Sequence, residues 1–287
     1  MFDPAQLAAL ASVHRRGSFD LAAAELHVTP SAISQRIKAL EEAAGTLLIR
    51  RGQPCTATET GLRLVRHHDE IALLTKTLSD DLATTAGPAH LRIAVNADSL
   101  ATWVIPALAA TDGFLYDIVI DDQDFSQDLL KRGEVAAAIT SHPGPLQGCD
   151  TVALGHLRYH ATASPAFITR WFGQGITADT LRHAPALRFN DKDRLQAQWA
   201  ARLTGQDYPL PSHRLASSHG FIDACLAGLG WAMNPTALVA PHLASGALVD
   251  LGPGAPLEVP LYWQFNRLTA RATAPLTRAL LQAAKAL

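Results

Sequence analysis

Apolar residues recur at spacings of three and four from the start of the chain. Leu7, Leu10 and Ala11, with His14, predict an amphipathic helix over residues 4–15 that Gly17 ends. Ser18 is placed to cap a second, short helix through Leu21, Ala22, Ala24, Glu25 and Leu26, with His27 and Val28 as the turn that follows. Thr29 caps and Pro30 opens a third helix, to about residue 43. Thr satisfies exposed backbone donors there, and Pro at the first helical position gives up no hydrogen bond. The apolar positions Ile33, Ile37 and Leu40 leave Ser31, Ser34, Gln35, Arg36 and Lys38 on the other faces. A longer helical pattern over 59–83 carries Leu64, Ile71 and Leu78 seven residues apart, with Leu74 and Leu82 beside them. Ala86-Gly87-Pro88 then breaks it. Such a stripe fits a helix that pairs with a second copy of itself, and equally a helix facing a core.

Beyond the break the period changes. LRIAVNA reads as a strand, Asp98-Ser99 precede a helix through Trp103, Leu108 and Ala109, and the strand YDIVIDD follows. A helix with Leu129-Leu130 up to Gly133 then leads into the strand VAAAITS. Strands alternating with helices imply a parallel α/β sheet, whose ligands collect at the carboxyl ends of the strands. Those ends and the turns after them carry Asn96, Asp98, Ser99 and Thr102, then Asp121, Asp122 and Asp124, then Thr140, Ser141 and His142. Over 156–164 the chain is expected to cross to a second lobe. That lobe holds ALRFNDKD with Asn190 and Asp191, the helix SSHGFIDACLAGLG and the strand WAMNP, and a return crossing lies near LYWQFN. The expected units are 1–58, a linker helix 59–87, and a two-lobed α/β domain 88–287, with lobe I about 88–160 and 265–287 and lobe II about 161–264. Ser99 and the Ser217-Ser218 pair are each expected at a helix start, where backbone donors favour a carboxylate; ordinary capping is the simpler account of any one of them.

Composition narrows the class. With 287 residues, 48% hydrophobic and 17% charged, the chain is a globular protein of two or three units. No stretch approaches the roughly 20 apolar residues of a membrane span, and MFDPAQLAAL lacks a basic leader and a cleavage site, so the expectation is a cytoplasmic protein. Cys55, Cys149 and Cys225 are far apart and read as structural thiols. No HExxH, GxGxxG or Walker motif is present, so neither a metal, a cofactor nor a catalytic residue is expected. His67-His68 reads as a solvated pair, and His142 and His219 as ligand hydrogen-bonding or pH-responsive groups. An enzyme on the same two-lobed fold, an exported solute receptor and an adaptor with a relic DNA-binding unit are the rival readings. The receptor fits neither the N-terminus nor the helix pair.

The net charge of −2 argues at first against nucleic acid. Its distribution argues the other way: between Thr29 and Arg66 stand six basic residues against three acidic ones. Two helices joined by a tight turn, with Ser, Gln and Arg near the start of the second, offer hydroxyls for phosphates and Gln or Arg for base edges. The string GSFDLAAAELHVTPSAISQRIKALEEAAGTLLIRR, followed by Thr58-Glu59-Thr60-Gly61, closely resembles the N-terminal domain of the LysR-type transcriptional regulators over about sixty residues. The Ala-Ala pair, the Ser-x-x-Ser-x-x-Ile frame and the Thr-x-x-Gly opening carry that resemblance. It implies a winged helix-turn-helix on double-stranded promoter DNA, with a wing over 47–58 bringing Arg50 and Arg51 to the backbone or minor groove. It also implies linker helices that pair into a homodimer, a homotetramer of such dimers, and RNA polymerase as a further partner.

AVNADSLATWVIPAL, the RGEV after the second α/β helix, Ser217-Ser218 and the LYW return strand extend the resemblance to the lysine- and arginine-responsive ArgP/LysG branch. The implied effector is a basic amino acid and the implied target an amino-acid exporter gene. The carboxylates Asp121, Asp122 and Asp124 suit a cationic ligand or simply a solvated strand end. One position departs from the branch: Asn190 stands where an aspartate is expected, with Asp191 or Asp193 as substitutes.

Overall fold

The computed structural model describes residues 2–84, 87–121, 126–144 and 146–287. The N-terminal body is built from α1 (Pro4–Arg16), α2 (Phe19–Glu25), α3 (Pro30–Ala44) and a two-stranded antiparallel hairpin, β1 (Ile49–Arg50) with β2 (Thr56–Ala57). Side chains cap the helix N-termini, Ser18 and Thr29 where the pattern places them and Asp3 beside them. Asp3 accepts from the amides of Ala5 and Gln6, Ser18 from Asp20 and Leu21, and Thr29 from Ala32. Gly17 and Gly45 close α1 and α3 at φ of 67° and 68°, where a Cβ is unfavourable. Leu7, Leu10, Val13, Ile33, Ile37, Leu40 and Leu48 form the sealed core of this body.

The linker helix α4 (Glu59–Asp81) starts on a Thr58 cap and packs its first turns into that core through Leu64 and Val65. Gly61 is where it meets the wing: a Cβ there would stand 2.2 Å from the Leu48 carbonyl oxygen. Gly61→Ala is expected to cost about 1–3 kcal/mol of head stability, read as a lower urea midpoint, because rigid backbone rather than a movable side chain blocks the methyl. Leu64 leaves the exposed stripe, which begins at Ile71 and continues through Leu74, Leu78 and Leu82. The opposite side of α4 lies on the following domain: Leu73 is buried there, Glu70 accepts from Asn266, and Asp81 pairs with Arg271 at 2.6 Å.

The rest of the chain runs β3 (Ala89–Val95), α5 (Ala97–Ser99), α6 (Ile105–Ala109), β4 (Phe114–Ile120), α7 (Ser126–Lys131), β5 (Ala137–Thr140) and β6 (Cys149–Ala163). Then come α8 (Pro165–Trp171), α9 (Ala178–Leu181), β7 (Ala186–Arg188), α10 (Leu195–Thr204), β8 (Ser212–Arg214) and α11 (Ser218–Leu226). β9 (Ala232–Pro235), α12 (Thr236–Ala244), β10 (Val249–Asp250), β11 (Leu257–Asn266) and α13 (Ala270–Ala283) complete it. β4, β3 and β5 are parallel, as the alternation predicts. The long strands β6 and β11 pair antiparallel over Leu257–Tyr159 to Asn266–Cys149 and carry the chain between the lobes. β11 lies beside β5 in lobe I, while β6 continues past it to pair with β9 and β10 in lobe II, so the sheet is mixed.

Alternation on β3 explains the two-sided cover of lobe I. Leu91, Ile93 and Val95 face α6 and α13, whereas Ala94 joins Leu129 and Leu130 of α7 on the other face. In lobe II, Trp199 of α10 packs on Trp231 with ring centres 5.2 Å apart, and Phe221, Ile222 and Cys225 of α11 cover the opposite face. Cys225 is sealed beside Thr162 and Asn234, and burial pushes its thiol up to about 12, the chemistry of a structural cysteine.

Candidate functional site

The exposed surface of the head gathers the residues expected to read DNA. Thr29, Pro30, Ser31, Gln35 and Lys38 are exposed on α3, with Ser34 and Arg36 half-exposed beside them. Ile33, Ile37 and Leu40 hold the helix from behind, so after Pro30 its first two turns present mainly polar groups. Lys38 leans on Glu42 at 3.8 Å. Ser18 and Thr29 already accept backbone amides as caps, which leaves each hydroxyl one proton to donate outward. Arg50 sits on the first wing strand, and Arg51 stacks its guanidinium 5.3 Å from the Phe19 ring centre. One face thus carries hydroxyls, an amide and four cations, the donor set for phosphates and purine edges.

The second cluster lies between the lobes. Asn96, Ala97, Asp98, Ile120 and Asp121 come from lobe I; Phe189, Asn190, Asp193, Leu195, Gln196, Ser218, Phe221 and Met233 come from lobe II. Among them Asp98 is held by Tyr159, whose Oη donates to Oδ2 at 2.9 Å. Burial raises the Asp98 carboxyl above its usual range. The Ser218 and Tyr159 hydroxyls oppose that shift and the nearby Asp193 charge adds to it. Ser218 is near enough to favour the ionised form yet outside hydrogen-bond geometry, its Oγ being buried without a partner. Asp193, 7% exposed, is raised chiefly by burial as well, although it accepts from Phe189 N at 2.9 Å and Leu195 N at 3.1 Å.

Around these two carboxylates sit polar atoms with no hydrogen-bond partner among the described residues. They are both amide atoms of Asn96, both of Gln196, and the hydroxyls of Ser99 and Ser218. An orphaned buried polar atom costs about 1–3 kcal/mol, and Asn96, Gln196 and Ser218 bring such atoms to the cleft lining, Gln196 standing close enough to Asp193 to favour its ionised form. A single turn of π-helix, Leu100–Val104, follows α5 directly below this cluster, a distortion frequent at functional sites.

The other expected residues are placed as follows. Ser99 is not at a helix start: Asn96 occupies that position, and Ser99 is the fully buried third residue of the short α5, because the helix opens earlier than the Asp98-Ser99 pair suggests. Ser217 does cap α11, accepting from Gly220 N at 3.0 Å, and is exposed. Thr102 donates to the Asp98 carbonyl at 2.7 Å, a bond within its own helical turn. Thr140, Ser141 and His142 end β5 beside Gln264, which donates to the His142 carbonyl at 3.1 Å, and they stand outside the cleft lining described above. Asn190 shapes its loop, its Oδ1 accepting from Lys192 N at 2.8 Å and Asp193 N at 3.2 Å. Asp191 points to the outer side and pairs with Arg214 at 2.7 Å. Asp121 pairs across the cleft with Lys192 at 2.7 Å. Asp122 and Asp124 lie outside the described residues.

Tyr159 and Gln196 escape a sequence reading, and Asp193 enters it only as a substitute for Asn190. Tyr159 shares the inward phase of β6 with Leu157 and Ala161, and that alternation is the one trace it leaves. A wider concavity of about 400 Å³ opens on lobe II beside Arg188, Arg194, Asp207 and Tyr208, and shares Asp193 and Gln196 with the cleft. The cleft is the stronger site because both lobes supply its groups and the orphaned atoms converge there. Among the described residues no His, Cys, Asp and Glu group could hold a metal ion, and no helix is long and apolar enough to cross a membrane.

Residues 4–62 match the bacterial regulatory helix-turn-helix protein, lysR family, and residues 85–286 match the LysR substrate binding domain. The HTH-type transcriptional regulator LysG of Mycobacterium tuberculosis is 42% identical over 290 residues, spanning 99% of this chain and 94% of the relative. The crystal structure of ArgP from Mycobacterium tuberculosis superposes with a TM-score of 0.81 at 40% identity, covering 100% of this chain and 98% of that one. Full-length LysG from Corynebacterium glutamicum, solved with its effector Arg bound, gives a TM-score of 0.66 at 36% identity over 99% and 98% of the two chains. These relatives are named as transcriptional regulators and not as enzymes. The chain belongs to the LysR family of bacterial transcriptional regulators, a helix-turn-helix DNA-binding head joined by a linker helix to a two-lobed effector-binding domain.

Proposed function

We propose that this regulator senses a basic amino acid, lysine or arginine, in the cleft between its lobes and so controls transcription of an amino-acid exporter gene. The observation that carries the reading is the pair of carboxylates, half-buried Asp98 from lobe I and buried Asp193 from lobe II, set among unpartnered amides and hydroxyls. Two carboxylates held against their own burial call for a ligand with two positive groups, and a basic amino acid has an α-ammonium and a charged side-chain end. Its carboxylate takes the donors left over at Asn96, Ser99, Gln196 and Ser218. The arginine bound to the Corynebacterium glutamicum relative supports the same class. Asp121 contributes from the mouth. Thr102, Asn190 and Ser217 act as framework, and Thr140, Ser141, His142 and Asp191 stay out of contact.

On the DNA side, Ser18, Thr29, Ser31, Ser34 and Lys38 take phosphates, Gln35 and Arg36 read base edges, and Pro30 starts the helix that aims them. The exposed stripe Ile71, Leu74, Leu78 and Leu82 pairs two copies into a homodimer, two dimers make a tetramer, and RNA polymerase is the partner at the promoter. The units run 1–58, 59–87 and 88–287, and the protein works in the cytoplasm. Calorimetry with arginine, lysine and leucine, followed by promoter footprinting with and without each, tests the reading. If neither basic amino acid binds, the effector assignment is lost while the regulator remains.

The wing makes a separate prediction. Arg50→Ala or Arg51→Ala lowers the slope of log affinity against log salt by about 1, with little change in which sequence is preferred, because each removes one phosphate contact. Titrations over a range of salt concentrations read this, and unchanged slopes would exclude both arginines from the backbone.

A further inference from the structure

Lys192 stands in the turn that Asn190 organises, and its Nζ lies 2.7 Å from Asp121 Oδ1 at the end of β4. The two residues belong to different lobes and to opposite lips of the same cleft, so this ion pair ties the lips together. In this arrangement the cleft leaves about 40 Å³, room for a few waters. The group making the tie is a lysine ammonium, the chemistry that the cleft carboxylates are proposed to bind.

We propose that Lys192 is a tethered competitor of the effector: in the ligand-free protein its ammonium holds Asp121 across the cleft mouth, and a cationic amino acid must displace it to enter. The inference rests on the proposed reading of the cleft as a basic-amino-acid site. Asp121 then exchanges the chain's own lysine in the shut state for the incoming cation in the loaded one. Lys192 is therefore a residue that sets the affinity threshold of the sensor without touching the bound ligand. The Lys192 side chain is 43% exposed, so the tie is a modest one, and displacing it alters affinity without abolishing binding.

The test uses full-length Lys192→Met, Asp121→Asn and the double variant, with Lys192→Arg as the variant that keeps the charge. Calorimetry with arginine and with lysine is expected to show about two- to fivefold tighter binding to Lys192→Met, the range that loss of a partly exposed ion pair allows. Lys192→Arg is expected to stay near the parent, and the gain from Lys192→Met is expected to vanish in the Asp121→Asn background. Unchanged or weaker binding to Lys192→Met overturns the proposal. So does a gain that persists without Asp121, since general charge repulsion would then explain it. Hydrogen exchange of segments 97–104 and 189–196 in the ligand-free proteins supplies an arm that needs no effector. Both single variants are expected to exchange faster and the double no faster than the quicker single, whereas no change or additive change overturns the tie. A protein that bound neither amino acid yet showed this exchange pattern would lose its assigned effector and keep its latch.

Discussion

Asp98→Asn is expected to lower affinity for arginine and lysine by roughly one to two orders of magnitude, because it removes a half-buried counter-charge from the cation at a cost of about 1.5–3 kcal/mol. The fold survives the change, since the Asn carbonyl can still accept the Tyr159 hydroxyl that now bonds Oδ2. The ligand-free protein is expected to be as stable or more so, having shed a charge that burial and Asp193 both penalise. Calorimetry and thermal melting on the same sample separate the two effects. Intact arginine binding by this variant would remove Asp98 from the site.

The pH dependence follows with opposite signs for binding and for stability. Asp98 and Asp193 both titrate above the ordinary carboxylate value of 3.8, and a cationic ligand needs them ionised. Affinity therefore climbs as pH rises through the raised carboxyl range and levels off above it. Ligand-free stability runs the other way. A folded carboxyl with a raised pKa binds its proton more tightly than the unfolded one, so its contribution falls as pH rises from 3.8 to the folded value and is constant beyond. Asp98→Asn removes its share of both slopes.

Gln35→Ala and Arg36→Ala are each expected to weaken binding to the selected operator by about 1–3 kcal/mol, roughly fivefold to 150-fold, while binding to unrelated duplex changes much less. Both side chains lie on the exposed face of α3 in its first two turns, where a recognition helix meets base edges. The loss should fall at particular base pairs, so competition with operators altered one position at a time reads it directly. Footprints identical to the parent in both variants would move the reading face elsewhere.

Much of the head was legible because its determinants are local. Ser18, Thr29 and Thr58 cap helices within three residues of themselves, Gly17 ends one, and Ile33, Ile37 and Leu40 announce the buried side of α3 through spacing alone. Alternation likewise marked β3, β4 and β5 as members of one parallel sheet. The linker stripe was readable as a period but not as a surface. Tertiary packing put Leu64 and Leu73 into two different cores and left Ile71, Leu74, Leu78 and Leu82 outside.

The proposed effector cleft divides along the same line. Asn96, Asp98 and Ser218 were expected, because they stand where strands end and helices begin. Tyr159, 61 residues from Asp98, was not, and neither was Gln196. Nor could any pattern tell that Asp191 turns outward to Arg214 while Asp193, two residues on, turns inward to the cleft. Local hydrogen bonds and side-chain periodicity are written into short stretches of chain, so the sequence by itself determined the helices, the strands and the polar, exposed face of α3. A carboxylate's burial and its distance to another group depend on elements 60 to 100 residues apart brought together by β6 and β11. Only the tertiary structure could therefore decide that Asp98 and Asp193 line one cleft and that Lys192 reaches Asp121.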